Sequence, residues 1–128
     1  MKLLIDTHVL IWMSLAKESL SQKAQAQLED PNNILFFSVA TLWEMAIKES
    51  TKKLILPKGS LEFFKKSQSS YDIQLLSIEP KHLKLLKALP QHHRDPFDRL
   101  LVCQASAEDL SIVTKDLDIK KYRVKTVW

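Results

Sequence analysis

The chain has very little glycine and cysteine, and each shortage excludes whole classes of function. Gly59 is the one glycine among 128 residues. Phosphate-binding loops and dinucleotide-binding fingerprints each need several glycines, because their backbone must approach a phosphate closely, so the sequence excludes both. Cys103 is the one cysteine, which excludes an intramolecular disulfide and a cysteine-based zinc cluster. We interpret Cys103 as a small buried hydrophobic side chain.

Long hydrophobic runs are also missing. No apolar stretch approaches the roughly 20 residues that a membrane-spanning helix needs. Asp6 follows the first apolar residues too soon for the apolar core of a signal peptide. Hydrophobic residues make up 45% of the chain and charged residues 27%, an ordinary balance for a globular protein. We therefore expect one soluble, cytoplasmic domain over residues 1–128, without a membrane partner.

The excess of positive charge is modest. Lysine and arginine number 19 against 15 aspartates and glutamates, which gives a net charge of +4. Part of this excess lies in residues 111–128, which carry five basic and two acidic side chains. A basic surface favours polyanions such as nucleic acid, although it equally describes an ordinary solvated surface. Charge therefore suggests a class of partner without deciding the function.

Short apolar runs alternate along the chain with longer amphipathic stretches. The short runs predict strands at residues 2–5, 34–37, 73–78 and 111–114, with a candidate fifth at 124–127. Helices are predicted at 9–15, after Ser21, after Ser38, at 60–69, after Pro80, and from Pro96 to residue 108. This alternation predicts an α/β fold, a three-layer α/β/α sandwich with a mostly parallel sheet of four to five strands.

Two of the predicted strands are followed closely by an aspartate, Asp6 and Asp116. In open parallel sheets, functional groups gather beyond the carboxyl ends of the strands. Glu44 lies at the edge of the apolar stripe of the helix after the second strand, and Asp98 lies in the first turn of the helix that Pro96 opens. We therefore expect these four carboxylates to converge on one end of the sheet.

Such a cluster has a definite chemical use. Carboxylates that share a small space repel one another unless a cation neutralises them or their pKa values rise. A ligand set made only of oxygens suits Mg²⁺ or Mn²⁺. Two such ions can activate a water molecule and stabilise the leaving oxygen in phosphodiester cleavage. Basic surroundings can hold a polyanionic substrate, so the constellation indicates a metal-dependent nuclease.

Four segments together match a known family. They are residues 6–12 (DTHVLIW), 42–46 (LWEMA), 92–101 (HHRDPFDRLL) and 114–116 (TKD). In this order and at these spacings the chain resembles the PIN domain, and in particular the VapC-type toxins of bacterial toxin–antitoxin pairs. The resemblance covers essentially the whole chain, and the stretch from Arg94 to Leu101 is its most specific part.

The resemblance implies an endoribonuclease that hydrolyses RNA with Mg²⁺ or Mn²⁺, pairs as a homodimer and is silenced by a cognate antitoxin protein. Carried over by motif, the catalytic and metal-binding residues are Asp6, Glu44, Asp98 and Asp116. Asp95 and Asp118 are further acids close to two of these positions. Asp95 immediately precedes Pro96, so it is expected at the N-cap of the following helix, which is a structural task.

Other interpretations of the acids stay open at this point. Asp6 could be a turn residue, Glu44 a solvated helix residue, and Asp116 or Asp118 a cap for the segment that follows. A haloacid-dehalogenase-like phosphatase needs a second aspartate two residues after the first, where this chain has His8. A receiver domain needs a phosphoacceptor aspartate after the third strand, and residues 77–79 do not supply one. A catalytically silent PIN fold that binds RNA or protein is the remaining alternative.

The remaining candidate groups receive plainer interpretations. We expect His92 and His93 to be solvated or to contact phosphate, and His8 and His82 to have no partner at ligand spacing. Arg94 and Arg99 either contact phosphate or pair with an acid. The tryptophans, Trp12, Trp43 and Trp128, are interpreted as core or interface residues. An exposed apolar patch that includes Trp12, Phe63 and Phe64 is predicted to serve homodimer formation.

Overall fold

The computed structural model describes residues 1–128 and contains a five-stranded, fully parallel sheet in the order β3-β2-β1-β4-β5. The strands are β1 (Lys2–Ile5), β2 (Ile34–Ser38), β3 (Gln74–Leu76), β4 (Ser111–Val113) and β5 (Thr126–Val127). The predicted α/β sandwich and its fifth strand are confirmed. β3 is shorter than predicted because its pairing with β2 ends where Ser38 lies opposite Leu76, and β2 then passes into a helix.

Six α-helices connect and cover the strands. They are α1 (Thr7–Leu15), α2 (Gln22–Glu29), α3 (Val39–Ser50), α4 (Ser60–Tyr71), α5 (Pro80–Leu86) and α6 (Pro96–Glu108). The predicted caps are confirmed: the Ser21 hydroxyl accepts from the Ala24 N–H at 3.0 Å, and the Ser38 hydroxyl accepts from the Ala40 N–H at 3.1 Å. None of these helices combines the length and the apolarity needed to cross a membrane.

The sheet separates two apolar layers because side chains alternate along a strand. Leu3 and Ile5 of β1 pack into one layer with α1, α2 and α4, whereas Leu4 packs into the other layer with α6. Ile112 and Val113 of β4 divide between the two layers in the same way. Helices on both faces therefore bury most of the central strands, including residues 3–5 and 111–113, and polar groups are left to the strand ends.

The predicted apolar patch for homodimer formation is wrong for two of its three residues. Phe63 and Phe64 of α4 are 8% and 4% exposed, since both side chains point into the core, where Phe64 stacks on Phe37 at a ring distance of 5.3 Å. Trp12 packs against the same core and lies 5.7 Å from the ring of Trp128. The amphipathic pattern identified an apolar helix face but could not show whether that face packs into the core or forms a surface patch.

His82 has partners, so the expectation that it has none is wrong. The ring is fully buried between α5 and α6. Its Nδ1 accepts the backbone N–H of Glu79 at 3.0 Å, so its Nε2 carries the proton and faces Oε1 of Glu108 at 2.9 Å. Lys81 also reaches that carboxylate at 2.7 Å. Nδ1 thus caps the start of α5, and Nε2 joins α5 to α6.

Candidate functional site

A polar pocket of about 460 Å³ opens beyond the carboxyl ends of β1 and β4. The chain crosses from one side of β1 to the other between β3 and β4, so this is the point where the strand order reverses, which is where ligands bind in open α/β sheets. The pocket is lined by Asp6, Thr7, His8, Trp12, Glu44, Lys48, His93, Asp95, Asp98, Lys115 and Asp116. The structure thus brings all four predicted site residues into one pocket.

Asp6 is held by the junction of β1 and α1. Its extended backbone, with φ −71° and ψ 157°, places it at the N-cap of α1. Oδ1 accepts the backbone N–H of Thr7 at 2.6 Å, and Oδ2 accepts the hydroxyl of Thr114 at 2.7 Å. The carboxylate is therefore buried and fixed in orientation by groups that follow two neighbouring strands.

Glu44 reaches the pocket from the second turn of α3. The residue is buried, and Oε1 accepts the hydroxyl of Thr7 at 3.0 Å. Oε2 lies 3.3 Å from Nζ of Lys48, one helical turn further along. Glu44 is therefore not the solvated helix residue that its position alone allowed, because α3 packs against α1 and turns this face inward.

Asp95 and Asp98 divide two tasks at the start of α6. Oδ1 of Asp95 accepts the backbone N–H of Phe97 at 2.8 Å and that of Asp98 at 3.3 Å, which confirms Asp95 as the N-cap. Asp98 is partly buried in the first turn and makes no such cap. Its Oδ2 lies 3.0 Å from Nε2 of His93, inside the pocket. The capping carboxylate and the pocket carboxylate are thus different residues.

Asp116 both caps and lines the pocket. Oδ1 accepts the backbone N–H of Asp118 at 2.7 Å and begins the short helical turn Ile119–Lys121, while Oδ2 faces His93. The Asp116 N–H donates to the Thr114 hydroxyl at 3.0 Å, which orients the loop after β4. Asp118 lies outside the pocket and pairs with Lys121 at 2.9 Å. Asp116, rather than Asp118, therefore belongs to the carboxylate cluster.

The pocket concentrates negative charge in a partly buried space. The pKa of Asp98 is raised to about 8, most strongly by burial and additionally by the negative charges of Asp6, Asp95, Glu44 and Asp116. Burial also raises the pKa of Asp6, although the hydrogen bonds from Thr114 and Thr7 act in the opposite direction. In the absence of a cation, the cluster therefore retains a proton near neutral pH.

His93 is a pocket residue that the sequence analysis missed. Its Nδ1 accepts the backbone N–H of Asp95 at 3.1 Å, so Nε2 carries the proton. That N–H faces Oδ2 of Asp98 at 3.0 Å and Oδ2 of Asp116 at 3.3 Å. The backbone N–H of His93 donates to the Tyr122 hydroxyl at 2.9 Å. The one local signal was its position two residues before the N-cap, where a ring nitrogen can reach the Asp95 N–H.

Arg99 does neither of the two things expected of it. Its guanidinium is buried and donates to the backbone carbonyls of Pro90 at 2.8 Å and Leu89 at 3.3 Å, and to the Tyr122 hydroxyl at 3.3 Å. It therefore holds the loop before α6 and touches neither the carboxylates nor the pocket. Arg94 is exposed and lies beside the pocket entrance.

The donor set of the pocket fits a hard divalent cation. Oxygen atoms of Asp98 and Asp116 lie within 4.8 Å of one another and of the His93 ring nitrogen. Asp6 and Glu44 add carboxylate oxygens, and no sulfur ligand is present. Lys48 and Lys115 neutralise the carboxylates only in part. Mg²⁺ or Mn²⁺ would compensate the remaining negative charge. The protonated Nε2 makes His93 a partner of the ligands rather than a ligand.

Comparison with known proteins identifies relatives over the full length. Over 129 aligned residues the chain is 26% identical to ribonuclease VapC22 of Mycobacterium tuberculosis (strain ATCC 25618 / H37Rv), covering 98% of this chain and 97% of that protein. It superposes with a TM-score of 0.71 on VapBC2 from Rickettsia felis bound to a DNA fragment from their promoter, at 14% identity, covering 98% of this chain and 97% of that chain.

A second solved structure, VapBC-1 from nontypeable Haemophilus influenzae, superposes with a TM-score of 0.63 at 14% identity, covering 98% of this chain and 96% of that chain. At these identities the two structures show a shared fold. The family model described as PIN domain matches residues 3–125. This match covers nearly the whole chain and every carboxylate of the pocket, so the chain belongs to the PIN domain family.

Proposed function

We propose that the protein is a metal-dependent endoribonuclease that hydrolyses RNA phosphodiester bonds and acts as the toxin of a toxin–antitoxin pair. The observation that carries this proposal is the convergence of Asp6, Glu44, Asp98 and Asp116, from four separate parts of the chain, on one pocket at the strand ends. The full-length similarity to a protein named ribonuclease VapC22 supports the choice of RNA as substrate.

The four carboxylates are proposed to hold Mg²⁺ or Mn²⁺. Bound ions of this kind supply Lewis-acid chemistry, which activates water and neutralises charge on the leaving oxygen of a phosphodiester. The chain's own contribution is to fix the ligands before substrate arrives. Thr7 orients Glu44, and Thr114 orients Asp6, each through a hydroxyl that donates to one carboxylate oxygen. A ligand set fixed in this way binds without reorganising.

The cationic side chains of the pocket have a different task. Lys48 and Lys115 border the carboxylates, so a phosphate that approaches the pocket meets positive charge next to the metal ligands. His93 holds a proton at Nε2 between Asp98 and Asp116 and keeps these two carboxylates close together. We infer that the lysines bind substrate phosphate, whereas His93 positions ligands.

An antitoxin protein and a second copy of the chain are the proposed protein partners. A further solved relative belongs to the VapBC family of toxin–antitoxin systems, VapBC-5 from Mycobacterium tuberculosis, with a TM-score of 0.60 at 16% identity.

Because Phe63 and Phe64 are buried, homodimer formation must use other apolar groups. The exposed apolar side chains between residues 75 and 85 are available: Leu75, Ile78, Leu83 and Leu85. Light scattering should give twice the 14.8 kDa chain mass, and a monomer at high concentration would contradict the dimer.

Cleavage of a labelled RNA tests the enzymatic proposal. The wild-type protein should cut RNA with Mg²⁺ or Mn²⁺ and lose activity with a chelator. Asp6→Asn should lose cleavage by orders of magnitude while folding normally, because asparagine keeps the size of aspartate without its charge. Asp118→Asn is the matched control outside the pocket and should cut at the wild-type rate. RNA binding without metal-dependent cleavage by the wild-type protein would instead identify a silent binding module.

A further inference from the structure

A second groove opens directly beside the carboxylate pocket. It lies between α3 and the start of α6, measures about 410 Å³, and is lined by Ile47, Thr51, Lys53, Arg94 and Phe97 among others. Glu44, Lys48 and Asp95 line both this α3–α6 groove and the pocket, so the two are continuous. A nucleic acid with one phosphodiester at the carboxylates can therefore extend a neighbouring nucleotide into this groove.

Trp43 of α3 lies next to the α3–α6 groove, because its ring contacts Phe97, which lines the groove. Its side chain is 58% exposed, which is unusual for so large an apolar group and shows that it is not a core residue. The indole meets the ring of Phe97 edge-to-face, with the ring centres 5.1 Å apart and an angle of 84° between the planes. This contact holds the indole in place and leaves much of its surface open to solvent.

Positive charge without an intramolecular partner lies in the same groove. Neither Lys53 nor Arg94 has a carboxylate oxygen within the 4.0 Å of an ion pair, whereas Lys48 is paired with Glu44 at 3.3 Å. An open aromatic face combined with unpaired cations is the arrangement by which proteins bind single-stranded nucleic acid, with bases on the ring and phosphates at the cations.

We propose that the α3–α6 groove binds an unpaired nucleotide next to the bond that the pocket cleaves, with its base stacked on Trp43 and its phosphate at Arg94 and Lys53. The position of the cut relative to this nucleotide rests on the proposed ribonuclease function, and the binding itself does not. A base can stack on an indole only when it is unpaired, so the groove selects single-stranded RNA. Trp43 thus determines the preference for unpaired RNA, whereas Arg94 and Lys53 contribute affinity through the phosphate.

Charge favours RNA over a second copy of the chain as the occupant of the groove. Lys53 is the group that disfavours a protein occupant, because lysine is depleted in protein interfaces whereas arginine and aromatic residues are enriched there. A two-fold contact made through this groove would place Lys53 and Arg94 of one copy near the same residues of the other. A polyanion instead neutralises both cations, and the groove continues into the pocket where its backbone would be cut.

Binding is measured on Asp98→Asn protein, which should hold RNA without cutting it. The probe is a fluorescently labelled single-stranded RNA of 12 nucleotides, which is about the length of one binding site. Binding is followed by fluorescence anisotropy. Trp43→Ala should weaken binding about tenfold, and Trp43→Phe should restore most of the affinity because a ring remains. Leu15→Ala is the control: Leu15 is 57% exposed but lies at the far end of α1. Unchanged binding by Trp43→Ala would overturn the proposal.

Substitution in the RNA identifies the stacked base. One abasic position should weaken binding to the Asp98→Asn parent about tenfold but should not weaken binding to the Trp43→Ala variant further, because the lost contact is the same. Arg94→Gln should reduce the slope of log affinity against log salt by about 0.7. Base stacking would be contradicted if Trp43→Ala reduced the affinity equally for RNAs with the abasic site at any position. It would also be contradicted if Trp43→Ala reduced the affinity for fully double-stranded RNA as much as for single-stranded RNA.

RNA cleavage and light scattering separate the groove proposal from the ribonuclease and homodimer proposals. If wild-type protein cuts no RNA while binding still depends on Trp43, the ribonuclease proposal fails and the groove proposal stands. If cleavage is normal and RNA affinity is independent of Trp43, the groove proposal fails alone. Light scattering of Trp43→Ala completes the test: loss of a dimer with unchanged RNA affinity would assign the groove to a second copy and overturn RNA binding.

Discussion

The hydroxyl of Thr114 donates a 2.7 Å hydrogen bond to Oδ2 of Asp6, although the two residues are 108 positions apart in the sequence. The same hydroxyl oxygen accepts the backbone N–H of Asp116 at 3.0 Å. Thr114 is fully buried at the end of β4, beside the end of β1. One side chain therefore orients the Asp6 carboxylate and at the same time anchors the backbone of Asp116 beside it.

Thr114→Val should separate this orienting role from packing. Valine has nearly the same shape but can neither donate to Asp6 nor accept from Asp116. We expect RNA cleavage to fall by about 10- to 100-fold and the Mn²⁺ concentration for half-maximal activity to rise, as when ligand-orienting hydrogen bonds are removed elsewhere. Thr126→Val in β5 is the control, since Thr126 lies on the edge strand and does not line the pocket. Unchanged metal dependence of Thr114→Val would contradict the role.

The pair Asp95 and Asp98 tests the division between cap and ligand. Asp95→Asn should retain most of the cleavage activity, because asparagine caps a helix almost as well as aspartate. Asp98→Asn should lose cleavage by orders of magnitude, because it removes a charged oxygen from the cluster. Melting temperatures should show that both variants fold. The reverse order of activities would contradict the assignment, and loss of activity in both would place Asp95 in the site as well.

The stability of the metal-free protein should depend on pH through Asp98. Its pKa is about 8 in the folded protein, against an ordinary value of 3.8. Between these values the folded state holds a proton that the unfolded state has lost, so stability falls as pH rises and levels off above the folded pKa. We expect the melting temperature in chelator to fall by several degrees from about pH 6 to about pH 8.

Two variants and one ion check that interpretation. Asp98→Asn should abolish most of the decrease in melting temperature with pH, since the proton-binding group is gone. This variant should also melt at a higher temperature than wild type at pH 8. Asp118→Asn should leave the fall unchanged, because Lys121 lowers the pKa of that exposed carboxyl and it does not titrate in this range. Saturating Mn²⁺ should raise the melting temperature more at high pH, where the carboxylates are free to bind it. A flat wild-type profile in chelator would contradict the raised pKa.

The adjacent histidines form a matched pair. His93→Ala removes the N–H that lies between Asp98 and Asp116, so we expect cleavage to fall by about 10- to 100-fold and the metal requirement to rise. His93→Gln should recover part of the activity, because its amide can still donate. His92 is exposed and packs edge-on against Tyr122 at 5.0 Å, so His92→Ala should cut RNA normally. Equal effects of the two alanine substitutions would remove His93 from the site.

Features that depend on neighbours in the sequence could be predicted from it. The Asp95–Pro96 pair predicted the start of α6, and Ser21 and Ser38 predicted two other helix starts, because an N-cap bonds to backbone groups two or three residues away. Asp6 was predicted at the pocket for a similar reason, since it directly follows the apolar run of β1. Each of these interactions lies within one turn of the chain.

Features that depend on which face of a helix is covered could not be predicted in this way. The amphipathic pattern of α4 marked Phe63 and Phe64 as apolar, and only packing against Phe37 showed that they are core rather than surface. Trp43 is equally apolar by sequence, yet it is 58% exposed and meets Phe97 edge-to-face at the surface. Arg99 was expected to contact phosphate or an acid. It binds the carbonyls of Pro90 and Leu89 instead, and only the folded path of the loop before α6 brings these groups to its guanidinium.

The sequence by itself determined the parallel α/β alternation and the helix caps, because strand periodicity and capping act over a few residues. It also carried the motifs whose resemblance to the PIN domain implied the four carboxylates. The tertiary structure decided how those carboxylates are oriented and neutralised. The Thr114–Asp6 and Thr7–Glu44 hydrogen bonds, and the placement of His93 between Asp98 and Asp116, join groups 5 to 108 positions apart. Such contacts exist only once β1 and β4 lie side by side and α3 and α6 pack beyond their ends, since packing rather than local preference brings these atoms within reach.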